Sequence, residues 1–358
     1  MSLKSIYLSV LSLFFFTLIF SQVPNGYYDA AKNLSDENLK SALNQIIDNH
    51  TEYAYTSSST DVWDILKETD RDPNNADNVI LIYSGISVNA AQEYNSANGW
   101  TREHIWAKSR GDFGTAIGVG TDVHALRPLD NTTNSTRNNR SFDNCNTCLD
   151  VTDKWGNVTG SKKDANVWSF EPRDAVKGDV ARMLFYMAVR YEGLDSFPDL
   201  ELTEVMLPQS DKEPLHGVLS TLLDWHRNDP VDAWEENRND IIYNSYQGNR
   251  NPFLDFPELA EHLWGTKMGV NWTGETLGIE NFNEVSFSIY PNPASTIINI
   301  KGVTLNAEVE IYDTIGRKVL SSQIDVNNNT IDVSELKGIY LVHIFSQEKR
   351  MAKVLVIE

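Results

Sequence analysis

Glu103 and His104 are adjacent in the sequence and could do chemistry together. A glutamate carboxylate is a hard oxygen ligand for a divalent cation. An imidazole with an unperturbed pKa near ~6.5 can take a proton from water around neutral pH. Neighbouring residues in a regular strand point to opposite faces, so both side chains can serve one site only where a strand ends or bulges. We therefore expect a strand end or a bulge at Glu103-His104.

A short helix that could carry further ligands is predicted over residues 131–139. Asp130 or Asn131 can start it, because both are good N-cap residues. The amide oxygen of an asparagine on this helix, the carboxylate of Glu103 and several waters would suit Mg²⁺, which prefers oxygen ligands and keeps much of its hydration. Positions i, i+3 and i+4 of the helix share one face. The side chains at these positions are Asn134, Arg137 and Asn138.

Positive charge is concentrated around these residues in a strongly acidic protein. The whole chain has 30 Lys and Arg against 50 Asp and Glu, a net charge of -20, which argues against a general nucleic-acid coat or a polybasic membrane binder. Residues 101–140 instead have six basic and four acidic side chains, a local net of +2. The contrast favours a local site for a polyanion, since Lys and Arg supply most sequence-independent affinity for phosphates. A solvated charged face is the alternative.

The length and the two ends of the 358-residue chain indicate several parts. At roughly 100–200 residues per domain, two or three folded units are expected. Residues 1–21 have the layout of a secretory signal peptide, in which Lys4 precedes the apolar run Ile6–Phe20. This run of 15 residues is shorter than the roughly 20 that a transmembrane helix needs. We therefore expect an exported protein whose mature form has no membrane span.

The chain has two cysteines, Cys145 and Cys148. Two thiols cannot complete a four-cysteine zinc site, and no thioredoxin-like pattern surrounds them. Export leads to an oxidising compartment, so we predict a local disulfide between them. A redox-active pair is the alternative.

Helical periodicity dominates residues 22–270. Asp179–Tyr191 has apolar residues at i, i+3, i+4, i+7, i+8 and i+11, which predicts a helix central to the core. Val218–Trp225 and Pro257–Trp264 are predicted to be further amphipathic helices. We predict an α+β fold, in which a mainly helical domain over 22–270 contains two strands and a helix around the site.

The tail, residues 287–358, has a different pattern and follows a predicted linker, 271–286. Strand-like runs such as Glu308–Tyr312 and Ile339–Ile344 alternate with turn residues. This pattern predicts a small all-β, immunoglobulin-like sandwich.

Several separated motifs occur in order along the tail, and they resemble the C-terminal sorting domain of the type IX secretion system. This resemblance implies an interaction with the type IX secretion machinery, passage across the outer membrane, and a protein that is released or attached to the cell surface. An accessory sandwich that binds carbohydrate is the alternative. The motifs are Phe287–Ala294, Val309–Asp313, Gly338–Val342 and Ala352–Val356.

Motifs in the main domain also occur in a familiar order. They are Arg102–Trp106, Asp122–Pro128, Asn134–Arg137, Gly178–Arg182 and Gln247–Phe253. Over most of residues 25–270 they resemble the endonuclease I family of secreted, non-specific bacterial nucleases with a ββα-metal site. The two strands and the helix predicted above would form this embedded ββα-metal motif.

The resemblance implies roles for individual residues. His104 would be the general base, and Glu103 and Asn134 would be the ligands of one divalent ion, Mg²⁺, with Mn²⁺ or Ca²⁺ as alternatives. An arginine should help to hold the phosphate, and Arg110 and Arg137 are the two expected to do so. The remaining residues expected to bind or support the substrate are Arg102, Lys108, His124, Arg127, Asn138 and Arg140.

The implied activity is the metal-dependent, sequence-non-specific hydrolysis of DNA, and of RNA as a further substrate, by a monomeric endonuclease. Water activated by the histidine would attack phosphorus and leave 5′-phosphate ends. Two alternatives are an extracellular ribonuclease of the same fold and a catalytically inactive surface protein that binds nucleic acid. The presence of Glu103, His104 and Asn134 together argues against the inactive alternative.

Overall fold

The structure is a computed structural model that describes residues 23–194, 196–274, 288–301, 307–313, 317–326, 328–346 and 349–358. The chain divides into two compact units, Met1–Glu275 and Thr276–Glu358. The predicted signal peptide, 1–21, and most of the predicted linker, 271–286, lie outside the described residues. None of the helices in the described ranges has the length and hydropathy needed to cross a bilayer.

The first unit mixes α-helices with small β-sheets, which confirms the mixed α and β prediction. Its helices are α1 (Asp36–Ile47), α2 (Val62–Thr69), α3 (Asn131–Arg137), α4 (Lys177–Arg190), α5 (Leu219–Asn228), α6 (Ala233–Ile241), α7 (Pro252–Asp255) and α8 (Leu259–Trp264). Its strands are β1 (Arg71–Asp72), β2 (Asn75–Ile80), β3 (Ser87–Asn89), β4 (Trp100–His104), β5 (Leu126–Asp130), β6 (Ser141–Phe142), β7 (Cys148–Thr152), β8 (Val158–Asp164), β9 (Ser169–Glu171), β10 (Glu201–Thr203) and β11 (Leu215–Val218).

These strands form four separate sheets. The strand orders are β1-β2-β3, β4-β5, β6-β9-β8-β7 and β10-β11. The pairs β6-β9 and β10-β11 are parallel, and the other pairs are antiparallel. The strands are short, so the helices contribute much of the core that positions the site.

Helix α4 lies at the centre of this core, as its periodicity predicted. The helix is buried on nearly all sides from Gly178 to Arg190. A buried charge must be paired, and Arg182 donates two hydrogen bonds to the Glu235 carboxylate, at 2.8 and 2.5 Å. The predicted helices at Val218–Trp225 and Pro257–Trp264 correspond to α5 and α8.

Strands β4 and β5 and helix α3 follow one another around the predicted site. The two strands pair antiparallel, with Glu103 opposite Arg127 and His104 opposite Leu126. β4 ends at His104, as expected from the need to bring two adjacent side chains to one site. Asp130 is the N-cap of α3, and its side chain accepts hydrogen bonds from the N–H groups of the first turn.

The second unit is all-β, as predicted. Its strands are β12 (Ser288–Tyr290), β13 (Ile297–Lys301), β14 (Ala307–Tyr312), β15 (Lys318–Ile324), β16 (Thr330–Asp332), β17 (Gly338–Ser346) and β18 (Lys349–Ile357). They form two antiparallel sheets, ordered β12-β13-β16 and β15-β14-β17-β18. Alternate residues of β14, beginning with Ala307, are buried and join one hydrophobic core with Ile298 and Val342. The immunoglobulin-like topology stays a prediction.

Candidate active site

The end of β4, the segment that follows it and the exposed side of α3 enclose a cavity of about 300 Å³. Six of the residues singled out in the sequence meet here, although the chain separates the first and last of them by 35 positions. The cavity is lined by Glu103, His104, Ala107, Lys108, Ser109, Asn134, Ser135, Arg137, Asn138 and Asn139.

Glu103 is almost fully buried and is held through one of its two carboxylate oxygens. Oε1 accepts a hydrogen bond of 3.0 Å from the Tyr83 hydroxyl and lies 3.3 Å from Nε of Arg137. In the part of the chain that the structure describes, Oε2 has no hydrogen-bond partner. Burial raises the pKa of the Glu103 carboxyl to about 7, although the Arg137 charge and the Tyr83 hydrogen bond act in the opposite direction. The carboxylate is therefore fixed by one oxygen and offers the other.

The His104 imidazole is oriented by a backbone carbonyl. Its Nε2 lies 3.0 Å from the Gly120 oxygen, and because a carbonyl can only accept, Nε2 must carry the proton and Nδ1 must be the free acceptor. The ring also stacks on Tyr55, with centroids 5.6 Å apart. Burial lowers the pKa of His104 to about 3, so the imidazole is neutral at physiological pH.

Asn134 complements Glu103 as an oxygen donor. It is half-buried on α3, and its Nδ2 donates a hydrogen bond of 3.5 Å to the carbonyl of Arg102, which leaves its Oδ1 for the cavity. Among the described residues neither Oε2 of Glu103 nor Oδ1 of Asn134 has a hydrogen-bond partner, and carboxylate and amide oxygens are hard ligands that suit Mg²⁺. The residues present therefore fit a divalent cation that retains several waters.

Arg137 lies in the cavity wall but is occupied by protein partners. Nη1 donates to the carbonyls of His104 and Asn138, at 3.1 and 3.0 Å. Nη2 donates to the carbonyl of Ile105 and contacts Nε2 of His216 at 2.9 Å, while Nε faces Glu103. The four N–H groups of Nη1 and Nη2 thus all point at protein atoms, and Nε is buried beside the Glu103 carboxylate without a hydrogen bond of its own within the described residues. In this arrangement Arg137 positions Glu103 and the end of β4, and no donor is left for the phosphate role expected from the sequence.

Lys108 has the opposite character, because it is exposed and lines the cavity. No ion pair of its ammonium group occurs within the described ranges. Asn138, also exposed, lines the same cavity at the C-terminal end of α3. Of the substrate-binding residues predicted from the sequence, Lys108 and Asn138 are the two that the structure places with Glu103 and His104.

Arg110 lies outside the cavity and is fully buried. Its Nη1 donates to the carbonyl of Asp211 at 2.9 Å. Its Nη2 donates to the carbonyls of Asn139 and Pro208, both at 3.1 Å. The structure therefore makes Arg110 a scaffold residue that ties the segment after β4 to a distant loop, which differs from the catalytic role expected for it.

Arg102 and Arg127 are also buried in the scaffold, although they were expected near the substrate. The guanidinium of Arg102 lies between the rings of Tyr55, at 3.4 Å, and Trp63, at 4.0 Å. It therefore supports the tyrosine on which His104 stacks. Arg127 forms ion pairs with two buried carboxylates, Asp70 at 2.5 Å and Asp179 at 3.2 Å.

His124 is the third predicted substrate-binding residue that the structure places away from the cavity. It is 1% exposed, and its Nε2 lies 3.2 Å from the carbonyl of Asn249. The Gln247–Phe253 motif braces the same region, because Gln247 donates to Asp122 at 3.1 Å and accepts from the Val123 N–H at 2.7 Å.

Two further predicted features lie in neighbouring parts of the first unit. Arg140 is half-buried over the ring of Trp168, 3.7 Å from its centroid, and does not line the site cavity. Cys145 and Cys148 are joined by a disulfide.

Three residues that support the site have no signal in the local sequence. Tyr83 precedes Glu103 by 20 positions and meets it only through the fold. His216, fully buried, accepts a hydrogen bond from Arg137. Gly120 offers its carbonyl from a turn so tight that a Cβ there would lie 2.7 Å from backbone atoms of Ala116. A glycine after Gly118 could have indicated the turn, but not its contact with His104.

Two family models match this chain. The model for endonuclease I matches residues 35–258, and the model for the secretion system C-terminal sorting domain matches residues 288–358. Both resemblances noted in the sequence are confirmed. The sorting domain marks a protein that is secreted or attached to the cell surface.

Two extracellular ribonucleases and one solved structure are similar to parts of this chain. The extracellular ribonuclease of Bacillus subtilis (strain 168) is 50% identical over 238 residues, which cover 66% of this chain and 78% of that protein. The extracellular ribonuclease of Bacillus amyloliquefaciens has the same identity and coverage. A structure of PorZ, a surface component of the type IX secretion system of Porphyromonas gingivalis, is 19% identical over 20% of this chain and 11% of that chain. Its TM-score is 0.17, which is too low to support a statement about the fold.

The endonuclease I model covers more than half of the chain, and the two relatives are half identical to it. The chain therefore belongs to the endonuclease I family and ends in a secretion system C-terminal sorting domain.

Proposed function

We propose that this protein is a secreted, metal-dependent endonuclease without sequence specificity, which hydrolyses phosphodiester bonds in RNA and DNA and leaves 5′-phosphate ends. The observation that carries the proposal is the meeting of Glu103, His104 and Asn134 in one cavity. We assign the strand pair β4-β5 and helix α3 as the ββα-metal motif of the site.

His104 would act as the general base. Its protonated Nε2 is held by Gly120, so Nδ1 can accept a proton from the attacking water. The depressed pKa keeps the ring in the neutral form that this step requires. A phosphate anion bound in the cavity would favour the imidazolium formed after proton transfer, since a nearby opposite charge stabilises a cation.

Glu103 and Asn134 would hold one divalent cation, most simply Mg²⁺, through Oε2 and Oδ1. When bound, the cation supplies Lewis-acid stabilisation of the charge that develops on the phosphate and the leaving oxygen. Tyr83 and Arg137 fix the Glu103 carboxylate by its other oxygen, and such outer partners set the orientation of a ligand.

Lys108 would bind the phosphate as the exposed cation of the cavity. In these proposed roles the cavity residues would contact phosphate or metal and no base edge. This arrangement supports cleavage without sequence specificity.

Predominant action on RNA is a second candidate function. It is favoured by the two relatives named extracellular ribonucleases. Both RNA and DNA therefore belong in the test.

The test is the cleavage of supercoiled plasmid and of a single-stranded RNA by the purified protein, with Mg²⁺, Mn²⁺ or Ca²⁺ and with EDTA. We expect nicking of the plasmid and fragmentation of the RNA with a metal, loss of both with EDTA, and recovery when excess Mg²⁺ is added. End-labelling of the products should show 5′-phosphates. If both substrates stay intact with all three metals, the proposed function is wrong, and undiminished cleavage in EDTA would remove the metal from it.

A further inference from the structure

A second cavity, of about 570 Å³, lies in the first unit, and two of its lining residues, Trp168 and Gln209, are hydrogen-bonded to Asn139 of the active-site cavity. Its volume is sufficient for a nucleobase with its sugar. Its lining includes Arg140, Trp168, Met206, Pro208 and Gln209.

Asn139 contacts residues of both cavities. It lines the active-site cavity, and its Oδ1 accepts a hydrogen bond of 2.8 Å from the indole Nε1 of Trp168. Its Nδ2 donates to Ser109, on the active-site side, and to the carbonyl of Gln209, on the other side, at 3.1 and 2.9 Å. The linings of the two cavities are therefore linked through this one side chain, and Arg140 of the second cavity directly follows Asn139 in the chain.

Arg140 presents a flat cation in this second cavity. Its guanidinium lies over the Trp168 ring at 3.7 Å, and its Nε donates to the carbonyl of Thr136 at 3.2 Å. Within the described residues, Nη1 and Nη2 have no hydrogen-bond partner. The ring beneath is itself fixed by Asn139. The guanidinium is thus held over the ring, and its Nη1 and Nη2 atoms and its outer face are available to a ligand.

Asp164 is the acidic residue in the lining, but its carboxylate is committed to the backbone. Oδ1 accepts from the N–H groups of Asn166 and Val167, at 2.8 and 3.2 Å. Oδ2 accepts from those of Asn146 and Thr147, both at 2.7 Å. Apart from Asp164, the lining consists of Arg140, Trp168 and neutral or apolar side chains, which suits an aromatic ligand next to a phosphate.

We infer that this cavity is a base-stacking subsite. An unpaired base next to the cleaved phosphate would stack on the Arg140 guanidinium, which itself lies over the Trp168 ring. The inference rests on the proposed function and names its preferred substrate, single-stranded nucleic acid. Single-stranded bases stack readily on aromatic rings and on arginine planes. A base inside a duplex is already stacked and paired, and moving it out costs free energy. Duplexes should therefore be cleaved more slowly than single strands.

The deciding experiment measures binding, so that it does not depend on cleavage. Fluorescence anisotropy in EDTA compares a short single-stranded oligonucleotide with an abasic strand of the same length and charge. We expect the wild-type protein to bind the base-bearing strand about tenfold more tightly. Arg140→Lys keeps the charge and removes the plane, and should lose most of this preference while its affinity for the abasic strand is retained.

Trp168→Leu removes the ring on which the Arg140 guanidinium lies, and Trp155→Leu is the matched control. Trp155 is 48% exposed, also has a cation over its ring, Lys154 at 5.3 Å, and lines neither cavity. Trp168→Leu should reduce the preference for bases and Trp155→Leu should not. Because Trp168 also holds Asn139, thermal unfolding is recorded for each variant, and Arg140→Lys decides if Trp168→Leu does not fold.

Two results would overturn the subsite. One is a wild-type protein that binds both strands equally. The other is an Arg140→Lys variant that keeps the full preference for bases. Cleavage is scored separately with Mg²⁺, where the wild type should cut single strands faster than duplexes and Arg140→Lys should narrow that ratio. A protein that prefers base-bearing strands but cuts nothing would refute the proposed function and leave the subsite standing.

Discussion

Lys108 differs from Arg137 and Arg110, because its ammonium group is exposed at the cavity and their guanidinium groups are buried against protein acceptors. Arg137 is turned toward carbonyls and Glu103, and Arg110 toward carbonyls of a distant loop. An ammonium group without a protein partner is available to a phosphate. The sequence-independent attraction of substrate should therefore depend on Lys108 more than on the arginines around it.

Replacing Lys108 tests this assignment. Lys108→Ala should weaken binding of nucleic acid and lower the slope of log affinity against log salt concentration by about 1, because one phosphate contact is lost. Lys212→Ala is the matched control, since Lys212 is also exposed but pairs with Asp112 at 2.9 Å and does not line the cavity. Binding titrations at several salt concentrations measure both. Equal slopes in Lys108→Ala and the wild type would remove Lys108 from the phosphate site.

Helix α3 is the element on which the site depends, because it carries both Asn134 and Arg137 over only seven residues. A helix this short has little stability of its own. Asp130 holds its first turn, and its Oδ1 accepts hydrogen bonds from the N–H groups of Thr132 at 3.1 Å and Thr133 at 2.9 Å. The same oxygen also accepts from the N–H of Lys154.

Removing this cap should affect stability and metal binding together. Asp130→Ala should lower the free energy of unfolding by about 1–2 kcal/mol and raise the Mg²⁺ concentration needed for half-maximal cleavage, because Asn134 is then less well held. Asp130→Asn keeps an acceptor oxygen and should stay closer to the wild type in both respects. Denaturant unfolding and Mg²⁺ titration provide the two measurements. An Asp130→Ala variant with unchanged Mg²⁺ dependence would show that α3 does not need its cap to place Asn134.

At the scale of the whole molecule, buried histidines make stability depend on pH. Burial lowers the pKa of His124 to about 4, whereas an unfolded histidine titrates near ~6.5. As the pH falls below about 6.5, His124 becomes protonated in the unfolded chain but stays neutral in the native protein until about pH 4. The free energy of unfolding therefore decreases between these two pH values.

His124→Gln isolates this contribution, because a glutamine N–H can replace the donor to Asn249. The wild type should lose roughly 2 kcal/mol more than the variant between pH 7 and pH 5. Urea unfolding at the two pH values measures the difference. If the difference in the free energy of unfolding between the two proteins is the same at both pH values, His124 does not titrate differently in the native and unfolded states.

The elements of the site could be predicted from local sequence, and several of its long-range partners could not. The Asp130 cap depends on residues within one turn and the apolar face of α4 on residues within one helix, so their local patterns were sufficient. Arg127 and Arg110 illustrate the limit. Their basic character predicted a phosphate contact, but the acceptors that bury them, Asp70 and the Asp211 carbonyl, lie about 60 and 100 positions away. Residue type alone does not show whether a charge is paired inside the fold.

The proposed cleavage depends on His104 as the base that activates the attacking water. Single-turnover cleavage and oligonucleotide binding in Mg²⁺ are therefore compared between His104→Ala and the wild type. Cleavage should fall at least about 100-fold, while affinity for the oligonucleotide changes little. His262→Gln is the control, since His262 is buried against the carbonyl of Val270 and does not line the cavity. A His104→Ala variant that cleaves at the wild-type rate would contradict the account.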